Sequence, residues 1–371
     1  MVDRELVTRR VVAQELVGAR RTGAADVARA FLATQGQDLT GAVSSLALRL
    51  ALPPGAAVAE VERAFADGEI VRGYPMRGTV FITAAEDLRW LTQLCAPAEI
   101  RGSAMRREKH LGIEESTMHS ARAVLEEVTG ESGIPRSELL AHWTERGIAT
   151  EQAHRYHILK HFLMTDIAVY GPLAGRENLV VAGDRWLPVG SSLQERFGGD
   201  RTQAAAELLR RYLTSRGPAS IRDAAWFSKL PIALLTAALQ QLEDEVVPAG
   251  PDARGEMRYE RPSLQAEWEQ HGGAALKGIL LPPFDEIVLG YPDRLALMTP
   301  AAHEVLVPGN RGVFLGGFLR RGEIIARWRR AGTAARPRLE LAALEDHRRL
   351  PNIAVAEADS RFRAFPVYPP R

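Results

Sequence analysis

Cysteine, lysine and long apolar runs are all scarce in this chain of 371 residues. Cys95 is the single cysteine, which excludes an intramolecular disulfide and a metal cluster built on cysteine ligands. The N-terminal segment mixes charges at once and lacks the apolar core of a signal peptide. No apolar run approaches the length of about 20 residues that a membrane-spanning helix needs. We therefore predict a cytoplasmic protein that does not associate with membranes.

The basic residues are unusual in kind and in distribution. Because lysine occurs only at positions 109, 160, 229 and 277, almost all of the 47 basic residues are arginine. Either a high-GC genome or selection for planar donors that bind phosphate explains this bias. The net charge of +1 also conceals the segment 311–338, which holds eight arginines and one acidic residue, Glu323. Such a segment is either a basic surface for nucleic acid or a solvated run of charge.

Three segments repeat one pattern of a helix, a turn, a second amphipathic helix and a short pair of strands. The clearest copy has Ser220 as a helix cap, a turn over 228–231, a second helix over 232–245 and a wing over 254–262. The other copies span 133–182 and 22–82. This spacing is typical of a helix-turn-helix followed by a β wing.

The pattern predicts a mainly α fold with β wings, of the α+β class. It has three tandem winged helix-turn-helix repeats over 1–100, 101–195 and 196–270, and a β-rich C-terminal subdomain over 271–371. In that subdomain we predict one hairpin with its tip at Pro308-Gly-Asn-Arg311 and another that turns at Arg321-Gly322.

The first repeat contains a longer connecting stretch with two uncharged amides, Gln35 and Gln37. Residues i and i+2 share a face in extended chain but diverge by about 200° in a helix. If the two amides act together, the segment must be extended or turned, and Gly36 permits that. Otherwise the pair belongs to a structural polar turn. Asp38 is either a third participant or a helix cap.

Four segments carry a resemblance to a known family. They are Gln35-Gly-Gln37, Met76-Arg-Gly-Thr-Val-Phe-Ile-Thr-Ala-Ala-Glu-Asp-Leu-Arg-Trp90, Gly217-Pro-Ala-Ser-Ile-Arg-Asp223 and Leu281-Pro-Pro-Phe-Asp-Glu-Ile-Val-Leu-Gly-Tyr-Pro-Asp-Arg294. Over nearly its whole length the chain resembles the AlkZ/YcaQ group of winged-helix DNA glycosylases, which combine tandem winged helices with a β-rich C-terminal part.

The resemblance implies removal of purines alkylated at N7, including bulky natural-product adducts and interstrand crosslinks, with the two glutamines as the catalytic motif. Two positions depart from the family pattern. Gly36 stands where members typically have an aliphatic residue, and Phe81 stands where they commonly have a histidine.

From this pattern we predict Gln35 and Gln37 as catalytic residues, with Asp38 and Asp285 as supporting residues. For Asp285, beside Glu286, we favour a structural role over paired acid/base chemistry. The DNA-binding residues we predict are Arg77, Arg294, Asn310, Arg311, Arg320 and Arg321.

The predicted function is that of a monofunctional, monomeric DNA glycosylase that acts on double-stranded DNA containing alkylated purines, with no metal and no cofactor. We hypothesise that it confers self-resistance on the producer of a DNA-alkylating metabolite. The alternatives are a non-catalytic winged-helix DNA-binding protein and a protein that sequesters the lesion or the drug.

Overall fold

The computed structural model describes residues 2–333, 336–344 and 349–368, with their side chains except that of Asn310. Contacts within the chain define two compact units. Unit 1 comprises Met1–Phe31, Gln37–Val61 and Ala206–Arg371, and unit 2 comprises Leu32–Gly36 and Glu62–Ala205. The division into four sequential domains stays a prediction.

Each repeat consists of a helix, a short strand or bridge, two further helices and a β-hairpin, so the predicted α+β class is confirmed. Repeat 1 follows α1 (Arg4–Ala13) and consists of α2 (Ala24–Phe31), β1 (Thr34–Gln35), α3 (Leu39–Ala47), α4 (Pro54–Ala66), β2 (Ile70–Met76) and β3 (Thr79–Ala84). Helix α3 is not among the helices predicted from the sequence.

Repeat 2 is preceded by two helices and a π-helical turn, and two short helices follow it. In chain order these elements are α5 (Ala85–Cys95), α6 (Pro97–Arg106), the π turn Arg107–Leu111, α7 (Glu115–Thr129), α8 (Arg136–Glu145), α9 (Gln152–Met164), β4 (Ala168–Ala174), β5 (Glu177–Ala182), α10 (Gly183–Trp186) and α11 (Leu193–Phe197). The wing of this repeat is the β4–β5 hairpin, which turns at Gly175-Arg176.

Repeat 3 confirms the predicted helix start, because Ser220 caps the second helix in a capping box with Asp223. Its elements are α12 (Arg201–Arg216), β6 (Ala219–Ser220), α13 (Ile221–Ser228), α14 (Ile232–Leu239), the 3₁₀ turn Glu243–Glu245, β7 (Val247–Pro251), β8 (Met257–Glu260) and α15 (Leu264–Ala275). Helix α14 is shorter than the span 232–245 predicted for it, because a turn follows Leu239.

The C-terminal part contains a four-stranded sheet and several helices. Its elements are β9 (Ile279–Leu281), α16 (Glu286–Leu289), α17 (Pro300–Leu306), the 3₁₀ turn Pro308–Asn310, β10 (Gly317–Arg320), β11 (Glu323–Gly332), β12 (Pro337–Ala343) and α18 (Asn352–Arg363). The described sheets have the orders β1-β3-β2-β4-β5, β6-β8-β7 and β12-β11-β10-β9. The wings of repeats 1 and 2 thus share one sheet in unit 2.

The link from the short strand to the next helix distinguishes repeat 1 from the other two. In repeat 3 Ser220 both ends β6 and caps the helix, and in repeat 2 one residue separates the bridging Ile134 from α8. Repeat 1 instead places Gly36 and Gln37 between β1 and the cap Asp38. Gly36 and Gln37 therefore form an insertion in the repeated pattern, directly after Gln35.

Candidate catalytic site and DNA-binding residues

Gln35 is the last residue of β1 and is 5% exposed. The strand pairs antiparallel with β3, which places Gln35 opposite the buried Phe81. The N–H of Gly36 donates both to the Val80 carbonyl at 2.8 Å and to Oε1 of Gln35 at 3.1 Å. Strand pairing thus fixes the backbone of Gln35, and a local hydrogen bond restrains its amide. The requirement for extended chain at Gln35 is met.

Gly36 is needed for space rather than for a left-handed backbone, because its φ is not positive. A Cβ atom there would lie 3.1 Å from the carbonyl carbon of Phe81 and 3.3 Å from the nitrogen of Ile82, which are both backbone atoms of β3. The carbonyl of Gly36 accepts a hydrogen bond from Nε of Arg72 at 2.6 Å. The peptide between the two glutamines is therefore bonded through its oxygen to β2.

Gln37 is exposed, in contrast to the buried Gln35. The next residue, Asp38, has an extended backbone and accepts a hydrogen bond from Gly41 N–H at 2.7 Å, so it is the N-cap of α3. This cap is one of the two roles predicted for Asp38. Gln37 is thus the residue immediately before the N-cap of α3.

Gly41 and Ser45 of α3, together with Arg49 just after it, attach this helix to the segment before α16. Ser45 donates to Oδ2 of Asp285 at 2.6 Å, and Arg49 donates to Oδ2 and Oδ1 of the same carboxylate at 3.0 and 3.1 Å. A Cβ atom on Gly41 would overlap the carbonyl oxygen of Pro283, so the helix approaches this segment at van der Waals distance. These contacts hold α3 in place.

Asp285 has the structural role that we favoured from the sequence. It is buried, and it caps α16 by accepting a hydrogen bond from Ile287 N–H at 3.0 Å. Burial acts to raise the pKa of its carboxyl, but the charge and hydrogen bonds of Arg49 outweigh burial and lower that pKa. Asp285 is therefore ionised and paired, which does not suit a general acid.

Glu286 has an arginine partner of its own. Its carboxylate lies 2.8 Å from Nη2 of Arg216, and both side chains are almost completely buried. Gln14 connects this pair with the first one, since it accepts a hydrogen bond from Arg49 and donates to Tyr291, whose hydroxyl donates to the Arg216 carbonyl. The two adjacent carboxylates are thus neutralised separately and do not act as an acid/base pair.

The comparison with family models matches residues 28–365 to the family described as DNA glycosylase AlkZ-like. The chain belongs to this family. Among solved structures, Streptomyces sahachiroi DNA glycosylase AlkZ matches with a TM-score of 0.67 and 20% sequence identity, over 99% of this chain and 98% of that chain. At this identity the match shows a shared fold. A search of curated proteins gives no match.

Membership of the AlkZ-like family makes DNA the substrate and glycosylase the class of activity. None of the helices in the described part of the chain is both long enough and apolar enough to cross a membrane.

The structure brings Arg77 close to Gln35 through Phe81. Arg77 and Gly78 form the two-residue turn between β2 and β3, with φ values of 60° and 61°. The Arg77 guanidinium lies 6.0 Å from the centroid of the Phe81 ring, and that ring belongs to the residue opposite Gln35. Among the DNA-binding residues predicted for this AlkZ-like chain, Arg77 thus lies near Gln35 within unit 2.

Arg294 is in contact with two aromatic rings in unit 1. Its guanidinium lies 5.0 Å from the Phe314 centroid and 5.8 Å from that of Trp226. Contact with aromatic faces restrains a planar guanidinium and does not use all of its N–H donors. A phosphate contact requires donors that remain in this way. The assignment of Arg294 to DNA binding stays a prediction.

The predicted β-hairpin at Pro308-Gly-Asn-Arg311 is wrong. Its first flank is α17, in which Thr299 accepts a hydrogen bond from Ala302 N–H and Pro300 occupies the first turn. These N-terminal signals favour a helix over a strand. A hydrogen bond from Leu315 N–H to the Leu306 carbonyl closes the loop at 3.0 Å.

Two of the predicted DNA-binding residues, Asn310 and Arg311, lie in that loop. Arg311 is exposed there, while the side chain of Asn310 lies outside the described residues. Neither assignment to DNA binding is tested by the geometry of the loop, and both stay predictions.

The predicted hairpin at Arg321-Gly322 is confirmed as the β10–β11 turn, with φ values of 53° and 71°. Its two arginines differ in their surroundings. Nε of Arg320 lies 2.9 Å from a carboxylate oxygen of Glu357, whereas Arg321 is exposed and has no ion pair with the described residues. Arg321 is therefore the better placed of the two for a DNA phosphate.

Sequence reasoning missed Arg72 and the attachment of α3. The helix itself had a signal, because Asp38 precedes apolar residues at Leu39, Val43 and Leu46, which is helical spacing behind a cap. Arg72 had none, since it contacts a backbone carbonyl 36 positions away. Contacts of that kind depend on strand pairing that no local motif reports.

Proposed function

We propose that this protein is a monofunctional DNA glycosylase that hydrolyses the N-glycosidic bond of bulky N7-alkylguanine lesions. We include interstrand crosslinks among its substrates, and we propose that it protects its producer from a DNA-alkylating natural product. One observation carries the proposal. In a member of a DNA glycosylase family, a strand and a helix cap fix the two ends of the Gln-Gly-Gln motif.

The chemistry of an N7-alkylated purine suits neutral amides. Alkylation puts a positive charge on the base, so the bond to C1′ breaks without protonation of the base, through a sugar that resembles an oxocarbenium ion. The protein then has to stabilise a cation and to place one water molecule. A glutamine carbonyl accepts a hydrogen bond from that water and turns the negative end of its dipole towards C1′.

The different exposure of the two amides supports different roles. We assign the exposed Gln37 to the attacking water, because its side chain reaches solvent. We assign the buried Gln35 to dipolar stabilisation of the sugar cation, since a fixed dipole acts more strongly where water is excluded. Phe81 cannot titrate, so the residue opposite Gln35 takes no part in proton transfer.

Water is the nucleophile in this proposal: it adds to C1′ as the base leaves, neutral, with the electrons of the N-glycosidic bond. The proton that the water loses passes to solvent, and the product is an abasic site. No lysine lies among the residues proposed to act, so the scheme includes no Schiff base and no coupled strand cleavage. Arg77, Arg294, Asn310, Arg311 and Arg321 are proposed to contact the DNA backbone, whereas the pairing of Arg320 with Glu357 makes it the poorer candidate on its hairpin.

Base release from defined duplexes tests this function. A duplex with one N7-methylguanine and a second with one nitrogen-mustard adduct at N7 are incubated with the protein, and the freed base is measured by mass spectrometry. We expect release from both, and faster release of the bulkier base. Gln35→Ala and Gln37→Ala should each abolish most release while they retain binding to the lesion duplex.

Gln203→Ala is the matched control, because Gln203 is an exposed glutamine on α12. Release that is unchanged in both motif variants would refute the catalytic assignment. No release by the unaltered protein, together with tight lesion binding, would favour a non-catalytic DNA-binding protein.

A further inference from the structure

Arg72 lies next to the glutamine motif, and we propose that it is a positioning residue for base release. The inference rests on the proposed function. Arg72 belongs to β2, where it pairs with Ile82 of β3 on one side and with Tyr170 of β4 on the other. It is therefore fixed by a strand in the middle of the five-stranded sheet.

The contact that matters is the one with the Gly36 carbonyl. Nε of Arg72 donates to that oxygen at 2.6 Å, while the N–H of Gly36 donates to the Val80 carbonyl at 2.8 Å. Both polar groups of Gly36 are thus bonded to neighbouring strands of the sheet. The Gly36 carbonyl belongs to the peptide that leads into Gln37, so a rotation of this peptide would break the bond to Arg72.

This restraint is needed because residue 36 is a glycine. Without a Cβ atom the backbone has more accessible conformations than an aliphatic residue would allow. The family resemblance leads us to expect an aliphatic residue here, and packing of such a side chain would itself limit rotation. A charge-assisted hydrogen bond from Arg72 limits that rotation in another way.

The guanidinium of Arg72 is itself held in place. It lies 5.2 Å from the centroid of the Tyr170 ring, and Nη1 is 3.4 Å from Oδ1 of Asn178. Asn178 is 2% exposed and donates to the Gly171 carbonyl at 2.7 Å. A planar fork meets Gly36 and Asn178 with different nitrogens at once, whereas a lysine ammonium lacks this geometry.

If Arg72 positions the motif, its loss should slow the chemical step and leave DNA affinity nearly unchanged. Misplacement of a catalytic group by about 1 Å costs on the order of 100-fold in rate. The competing explanation is that Arg72 contacts a DNA phosphate. In that case its loss should weaken binding and lower the slope of log affinity against log salt by about 1.

The experiment compares Arg72→Gln, Arg72→Lys and the unaltered full-length protein on the N7-methylguanine duplex. Single-turnover release with enzyme in excess gives the rate constant, and fluorescence anisotropy at several salt concentrations gives the affinity. For Arg72→Gln we expect a rate about 10- to 100-fold lower, with affinity changed by less than about 3-fold. Arg72→Lys should recover only part of the rate.

Arg136→Gln is the matched control, because Arg136 is an exposed arginine of unit 2 whose guanidinium also lies over a tyrosine ring, that of Tyr156. It should release base at the unaltered rate. An unchanged rate in Arg72→Gln would overturn the inference, and so would full recovery in Arg72→Lys or a loss confined to affinity.

Gln35→Ala and Gln37→Ala are measured in the same assay to separate the two proposals. If the unaltered protein releases no base, the proposed function fails; if both glutamine variants release base normally, the catalytic assignment of the glutamines fails whatever Arg72→Gln does. If both lose release while Arg72→Gln retains it, only the positioning role fails.

Discussion

The burial of Gln35 explains why an amide suits this position better than a carboxylate. A carboxylate opposite the buried Phe81 would lose its hydration, and burial would raise its pKa. An amide stays neutral and keeps its dipole at any physiological pH. It can therefore stabilise a sugar cation without a change in protonation, which suits a substrate whose leaving group is already charged.

Gly36→Ala tests whether space at this position is limiting. The added Cβ would lie 3.1 Å from a backbone atom of Phe81, and a strand cannot yield as a flexible side chain can. We expect a loss of about 1 kcal/mol in the free energy of unfolding, measured by urea denaturation, and slower base release.

Gly102→Ala is the control for this prediction, since Gly102 lies in α6 with open space around it. There the same substitution should stabilise the protein by up to about 1 kcal/mol, because alanine favours helix. Equal effects of the two substitutions would contradict the account of β1 packed closely on β3.

Helix α3 shows which parts of the fold are readable from the chain and which are not. Caps, turns and apolar spacing predicted the helix-turn-helix segments of repeats 2 and 3 and the wing of repeat 2, because those signals are local. The wing predicted over 254–262 includes β8 but not β7. The attachment of α3 joins Ser45 and Arg49 to Asp285, which is more than two hundred positions away. Asp285 becomes the partner of Ser45 and Arg49 only when these distant segments pack together. The motif around Asp285 therefore marked the residue in the sequence but did not predict its contacts.

Asp285→Asn should destabilise the protein strongly. The substitution keeps the shape of the side chain but leaves the buried guanidinium of Arg49 without its counter-charge. Loss of one partner of a buried pair costs about 3 to 5 kcal/mol. Urea denaturation at neutral pH measures this loss. Asp359→Asn, an exposed change on α18, should alter stability little.

The pH dependence of the Asp285→Asn effect provides a check on its cause. Because the folded-state pKa of Asp285 is lowered, its contribution is complete above the unfolded-state pKa of about 3.9. The contribution is lost as pH falls through the lower folded-state value. The stability difference between the two proteins should therefore shrink only in acid, and a difference that shrank near neutral pH would contradict ion pairing as its origin.

The distribution of ion pairs, rather than the net charge of +1, determines which arginines are available to DNA. Two arginines of the arginine-rich segment 311–338 are paired with Glu340, which follows the segment. Nε of Arg329 lies 2.5 Å from Oε2 of Glu340, and Nη2 of Arg338 lies 2.6 Å from its Oε1. These exposed pairs contribute little to stability and can be exchanged for phosphates. The more buried pair of Arg320 with Glu357 is a poorer candidate for such exchange.

Neighbouring arginines on one hairpin allow a test of this distinction. Arg321→Gln should lower the slope of log DNA affinity against log salt by about 1, because it removes one phosphate contact. Arg320→Gln should leave that slope nearly unchanged and instead lower the thermal midpoint slightly, since it breaks the pair with Glu357. Fluorescence anisotropy with an undamaged duplex over a series of salt concentrations measures both slopes. If Arg320→Gln changed the slope as much as Arg321→Gln, the paired arginine would also be in contact with DNA, and ion pairing would not predict which arginines bind.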